Sequence, residues 1–124
     1  MQGLGRHILA EVYGCKFSML NDLERIREIF VSAALSAGAE VRETAFHRFS
    51  PQGVSGVVVI SESHLAIHTW PELGYAAVDV FTCGNRVDPW VAANAIIEAF
   101  DAQDVKATEI SRGVFPAKSR ECAS

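Results

Sequence analysis

The sequence predicts an α+β two-layer sandwich: an antiparallel sheet with two helices on one face. Three observations carry this expectation. Short segments alternate apolar and polar residues with the two-residue period of a strand, as between Gly5 and Cys15. Two other segments carry apolar residues at helical spacing, each preceded by residues that cap helices. The resulting order is strand, helix, strands, helix, strand, which folds most simply as one sheet covered on one side.

The first strand runs from Gly5 to Cys15, with His7, Leu9, Glu11 and Tyr13 on one face and Ile8, Ala10 and Val12 on the other. Asn21 then caps a helix, with Glu24 three residues on completing a capping box. Leu23, Ile26, Phe30, Ala33 and Ala37 form its apolar face, and Gly38 ends it. Glu40 to Phe49 is the second strand, with Val41, Ala45 and Phe49 sharing a face with Glu43 and His47. After a turn at Pro51-Gln52-Gly53, Val54 to Glu62 is a third strand, apolar on both faces through Val57-Val58-Val59-Ile60 and therefore central. Gly56 within it marks a close approach of backbone or ligand. His64 to Trp70 continues as a short strand until Pro71, and Tyr75 to Cys83 is the next. Asp88-Pro89 opens the second helix, with Trp90, Ala93, Ile97 and Phe100 as its stripe. Asp104 to Ser111 is the last strand.

The 124 residues fit one domain, 1–124, with no linker or low-complexity segment. Hydrophobic residues at 49% and charged residues at 21% place the chain among globular proteins. A net charge of −4 argues against nucleic acid as a partner, because phosphate neutralisation needs a basic face. No apolar run reaches the roughly 20 residues of a membrane span, and residues 1–6 lack the apolar core of a signal peptide, so cytoplasm is the expected compartment. Cys15, Cys83 and Cys122 are widely spaced and form no Cys-x-x-Cys pair, which argues against a zinc site and leaves free thiols in a reducing compartment. Two helices cover only one face of a sheet whose central strands are apolar on both. The other face therefore needs cover, most simply a second copy, so the chain is expected to dimerise through or beside the sheet.

One stretch concentrates chemistry. Ser61-Glu62-Ser63-His64-Leu65-Ala66-Ile67-His68-Thr69-Trp70-Pro71-Glu72 sets hydroxyls, carboxylates and imidazoles directly after an apolar strand. Polar groups gathered there cost free energy unless they are satisfied or used. By residue type alone, Ser63 is an ordinary strand-end serine, Cys83 a small buried residue, and Phe49 and Trp70 core. In combination, Gly5-Arg6-His7, Phe46-His47-Arg48-Phe49, Gly53-Val54-Ser55-Gly56, the stretch above and Phe81-Thr82-Cys83-Gly84 resemble the short prokaryotic S-adenosylmethionine decarboxylases. The resemblance runs from about Gly3 to Gly113; Val114 to Ser124 match nothing in it.

The resemblance implies a proenzyme that cuts itself between Glu62 and Ser63 into chains 1–62 and 63–124. Ser63 attacks the Glu62 carbonyl, and elimination then leaves a covalent pyruvoyl group at position 63, the cofactor, with no metal and no pyridoxal phosphate. His68 is implied as the base, a task that suits imidazole near neutral pH, and Ser55 as a hydrogen-bonding helper. Cys83 is implied as the donor that reprotonates carbon after carbon dioxide leaves. Phe49 is implied to stack on adenine, Glu72 to accept from the ribose hydroxyls, and Trp70 to line the same pocket, which lies where two protomers meet. His47, Glu43 and Asp79 are read as satisfied strand residues. The implied substrate is S-adenosylmethionine, decarboxylated to the aminopropyl donor for spermidine. Two other readings remain open: an arginine or ornithine decarboxylase on the same scaffold, and an unprocessed binding or regulatory module.

Overall fold

The alternation in the first strand corresponds to burial. In the computed structural model, which describes residues 3–115, β1 (Gly5–Tyr13) buries Ile8, Ala10 and Val12 and turns His7, Leu9, Glu11 and Tyr13 to the opposite face. Strand pairing stops two residues before Cys15, whose backbone N–H instead donates to the Gly74 carbonyl at 3.0 Å. Cys122 lies outside the described residues.

A single helical turn, α1 (Phe17–Leu20), precedes the long helix α2 (Leu23–Ser36). The cap of α2 is Asp22, whose side chain accepts from the Arg25 N–H, and not Asn21. Asn21 is committed elsewhere: its side-chain oxygen accepts from the Gly53 N–H at 3.0 Å. Glu24 completes no capping box and pairs with Arg27 at 2.6 Å. The helix ends as expected, with Gly38 at φ +91°, a conformation that glycine adopts without strain.

β2 (Val41–Arg48) pairs with β3 (Val54–Ile60), and a register shift between Val41 and Glu43 corrects the expected face of Val41. Val41 sits opposite Ile60 and packs on the core, whereas Glu43 sits opposite Val59 on the other side. Gly56 does mark a close approach, but of a side chain: a Cβ there would lie 2.0 Å from the Phe46 ring. β3 ends at Ile60 and not at Glu62, because Ser61 and Glu62 turn the chain into β4 (Ser63–Trp70). A 3-10 turn (Pro71–Leu73) leads to β5 (Tyr75–Cys83), then α3 (Pro89–Phe100) and β6 (Asp104–Arg112). Asp88 caps α3 by accepting from the Trp90 N–H at 3.0 Å.

All neighbours are antiparallel, in the order β2-β3-β4-β5-β1-β6. Helices α2 and α3 pack on each other and on one face of this sheet. Phe30 of α2 is fully buried, with Phe46 and Phe100 rings each 6.4 Å away. Truncating such a side chain loses its transfer free energy and leaves a cavity. Phe30→Ala should therefore cost about 3–5 kcal/mol, read as a drop in denaturation midpoint. The opposite, open face carries Leu9, Val59, His68, Trp70 and Phe81, with Leu9 37% and Val59 38% exposed, and no helix among the described residues covers it.

Candidate active site

The β3–β4 hairpin places the Glu62–Ser63 bond at its tip. Ile60 pairs with Ser63, so Ser61 and Glu62 form the whole connection. The turn is braced from β2: the Ser61 N–H donates to the Glu40 carbonyl at 2.9 Å, and Arg42 Nε donates to Ser61 Oγ at 2.8 Å. Glu62 is exposed and holds φ +74°. A side chain in this left-handed region costs about 1–2 kcal/mol relative to ordinary backbone. The next residue, Ser63, has its hydroxyl buried with no hydrogen-bond partner among the described residues. Strain and an unpartnered hydroxyl thus meet at one peptide bond.

A second group of expected residues gathers on the open face. His68 in β4 lies directly across from Ser55 in β3 and Ala77 in β5. Its ring centroid is 5.8 Å from that of Phe49 and 4.2 Å from that of Trp70. The Phe49 N–H closes a turn onto the Gly53 carbonyl at 2.8 Å, and the Asn21 bond to Gly53 fixes that turn against α1. Trp70 stacks on Tyr75 at 5.1 Å, and Tyr75 on Tyr13 at 5.4 Å. The Tyr75 hydroxyl donates to Glu11. That bond, with burial and the nearby carboxylate charge adding to it, pushes the phenol up to about 12, so Tyr75 stays a neutral donor.

Two adjoining cavities share Phe49 and His68. One of ≈ 720 Å³ adds Ala45, His47, Ser55, Val57, Ala66, Ala77 and Asp79; one of ≈ 300 Å³ adds Gln52, Gly53, Trp70 and Glu72. Glu72 is exposed on the 3-10 turn, with its carboxylate open to a ligand. His47 and Asp79, expected to be satisfied strand residues, line the larger cavity with no side-chain hydrogen bond among those found. Apolar walls, stacked rings and a few polar groups suit an aromatic ligand that carries charge.

Cys83 lies at the other end of the sheet. It closes β5 opposite Gly5, half-buried and as a free thiol. Six residues separate it from Ala77, the neighbour of His68, which is about 20 Å of strand. Ser63 is five residues from His68 along β4, about 17 Å, and the odd spacing puts the two side chains on opposite faces. Within one protomer, therefore, Ser63 and Cys83 occupy one end, and Ser55, His68, Phe49, Trp70 and Glu72 the other.

Sequence reading passed over two neighbours of the first end. His7 lies against Phe81 at 5.2 Å, and Arg112 is 3.0 Å from its Nδ1. Burial lowers the His7 pKa; Asp79 opposes this, and Arg112 and His64 add to it. Thr82 is 1% exposed, and its hydroxyl also lacks a partner. A histidine and a threonine in strands give no signal by composition. Among the described residues, no group of three or more His, Cys, Asp or Glu side chains could hold a metal ion.

Comparison with known proteins gives a consistent result. The family model described as S-adenosylmethionine decarboxylase matches residues 6–113. The S-adenosylmethionine decarboxylase proenzyme of Moorella thermoacetica is 73% identical over 115 residues, covering 93% of this chain and 92% of that protein. The protein of the same name from Syntrophomonas wolfei is 69% identical over 115 residues, covering 93% and 91%. The crystal structure of the adenosylmethionine decarboxylase from Aquifex aeolicus superimposes with a TM-score of 0.87 at 35% identity, covering 94% of this chain and 97% of that one.

Proposed function

The chain belongs to the S-adenosylmethionine decarboxylase family and is a decarboxylase of that kind; from this premise we propose that it matures by cutting itself between Glu62 and Ser63. The observation that carries the proposal is the hairpin tip, where a left-handed Glu62 precedes a serine whose hydroxyl is buried and unpartnered. Ser63 Oγ forms a bond to the Glu62 carbonyl carbon, the C–N bond breaks, and the hydroxyl proton ends on the freed nitrogen. The resulting ester makes the β-oxygen a carboxylate leaving group. Removal of the Ser63 α-proton then expels Glu62 as a new C-terminus. Water converts the remaining dehydroalanine to a ketone and ammonia, giving fragments 1–62 and 63–124.

The surroundings fit a covalent pyruvoyl group at residue 63. The serine that would supply its carbons has its hydroxyl held off solvent. Once formed, the group offers a ketone that takes the substrate α-amine and accepts the electrons left by carbon dioxide. Cys83 returns a proton to the carbon that lost the carboxylate. Phe49 stacks on adenine, Glu72 accepts from the vicinal ribose hydroxyls, and Trp70 closes the pocket. Ser55 and His68 face each other across β3 and β4, so Ser55 can hold the developing oxyanion while His68 moves the proton.

These roles need both ends of the sheet in one place, and a homodimer supplies that. A two-fold contact sets residue i against j and j against i. Two open faces packed this way would bring Cys83 and the Glu62–Ser63 peptide at the hairpin tip of one protomer to Phe49, Ser55, His68, Trp70 and Glu72 of its partner. Each dimer then has two composite sites, and the apolar faces cover each other. The product would be the aminopropyl donor for spermidine synthesis, and we place the enzyme in the cytoplasm; no helix among the described residues is long and apolar enough to cross a membrane.

Labelled carbon dioxide release tests the substrate. S-adenosylmethionine should turn over with a catalytic efficiency at least about 10³-fold above arginine or ornithine, because neither satisfies a carboxylate placed for vicinal hydroxyls. A higher efficiency on arginine or ornithine would overturn the substrate and leave the self-cleavage intact.

A further inference from the structure

We propose that Thr82 is the positioning residue for the Ser63 hydroxyl during self-cleavage, a role that rests on the maturation reading above. The β4–β5 ladder runs antiparallel from Trp70 opposite Tyr75 to His64 opposite Phe81. The pairing ends there; continued by one residue, the same register would set Ser63, which pairs with Ile60, against Thr82, which pairs with Arg6. Both side chains point to the helix face, by alternation with buried Leu65 and Ile67 on β4 and buried Val78 and Val80 on β5. Residues so opposed have Cβ atoms about 5 Å apart. Both hydroxyls are buried, and neither has a hydrogen-bond partner among the described residues.

The chain's other buried threonine shows what a structural hydroxyl looks like here. Thr69, also 1% exposed, donates to the Leu20 carbonyl and accepts from the Val54 N–H, both at 2.8 Å. Thr82 ties nothing together in this way. Valine would fill the same space without burying a polar atom, so shape alone does not account for the hydroxyl. Its available partner is Ser63, since a hydroxyl donates and accepts at once.

The geometry defines the service. When Ser63 Oγ–H donates to Thr82 Oγ1, the attacking lone pair is released from that direction and can turn toward the Glu62 carbonyl carbon. The Oγ–C bond forms, the C–N bond breaks, and the proton passes to the nitrogen of residue 63; the step is an isomerisation and needs no co-reactant. His68 of the same protomer cannot do this, because it lies on the opposite face about five residues along the strand.

The test follows the uncut chain from cell-free synthesis on a denaturing gel, with Ser63→Ala as the uncut marker. Thr82→Val should cleave at least about tenfold more slowly than the parent, with a thermal midpoint no lower than the parent's. Thr82→Ser, which keeps the hydroxyl, should return to within about threefold of the parent rate. Thr82→Val cleaving at the parent rate, or Thr82→Ser as slow as Thr82→Val, would overturn the assignment. Should Thr82→Val fail to fold, Thr82→Ser against Thr82→Ala makes the same comparison, and equal rates would overturn it. A parent chain that never cleaves would remove the maturation reading itself, and this role with it.

Discussion

Ser63→Ala should remain a single chain of 124 residues and release no measurable carbon dioxide from S-adenosylmethionine. On the proposed mechanism, alanine removes the atom that attacks the Glu62 carbonyl, and with it the precursor of the ketone. Nothing else at the hairpin tip replaces either function: Glu62 is turned to solvent, and Ser61 Oγ is already engaged by Arg42 and Glu40. Loss of a group on which all later chemistry depends lowers turnover by at least roughly three orders of magnitude. The fold should survive, because removing an unpartnered buried hydroxyl is neutral or mildly stabilising. Intact mass and a decarboxylation assay on the same preparation read both outcomes. A folded, uncut Ser63→Ala chain that still decarboxylates would rule out residue 63 as the source of the electron sink.

Two inactive variants should rescue each other. In the proposed homodimer, Ser63→Ala and His68→Ala would each remove one component of every composite site. Co-expressed in equal amounts, half of the dimers are mixed, and each mixed dimer has one site that unites an intact Ser63 with the partner's His68. Activity should therefore return to about one quarter of the parent's. Differently tagged subunits allow the mixed dimer to be purified, and it should show about half the parent activity with one chain in two cut. Had Ser63 and His68 served the same site within a protomer, no mixture would recover anything. Silence from a purified mixed dimer would thus contradict the shared-site arrangement directly.

How far the chain could be read in advance depended on the range of the interactions involved. The alternation of β1 and the stripe of α2 follow from local periodicity, and both appear in the structure. The cap of α2 was misplaced by one residue because Asn21 and Asp22 are both good caps; a bond from Asn21 to Gly53, 32 residues away, decides between them. The single turn α1 is too short for a helical period to register. The bulge that turns Val41 inward leaves no mark in a strand of alternating residues. In the site, the motifs pointed to Ser63, His68 and Cys83, but they carry no distances between these residues. Five residues along an extended strand separate Ser63 from His68 more than a whole pocket does. Thr82 stood in a motif but took no role from it, since only the partnering of its hydroxyl distinguishes it from any buried threonine.

The strand order has a consequence for the cut protein. Fragment 1–62 would own β1, β2 and β3, and fragment 63–124 would own β4, β5 and β6. In the order β2-β3-β4-β5-β1-β6, a strand of the first fragment is wedged between two of the second. The halves therefore meet along three hydrogen-bonded seams, β3 with β4, β5 with β1, and β1 with β6. Such halves cannot drift apart as two modules would; separation requires tearing the sheet. Reassembly, by contrast, would need two independent chains to find each other and interdigitate, a second-order event that dilution slows. Maturation would turn a chain able to refold by itself into one whose endurance rests on never coming undone.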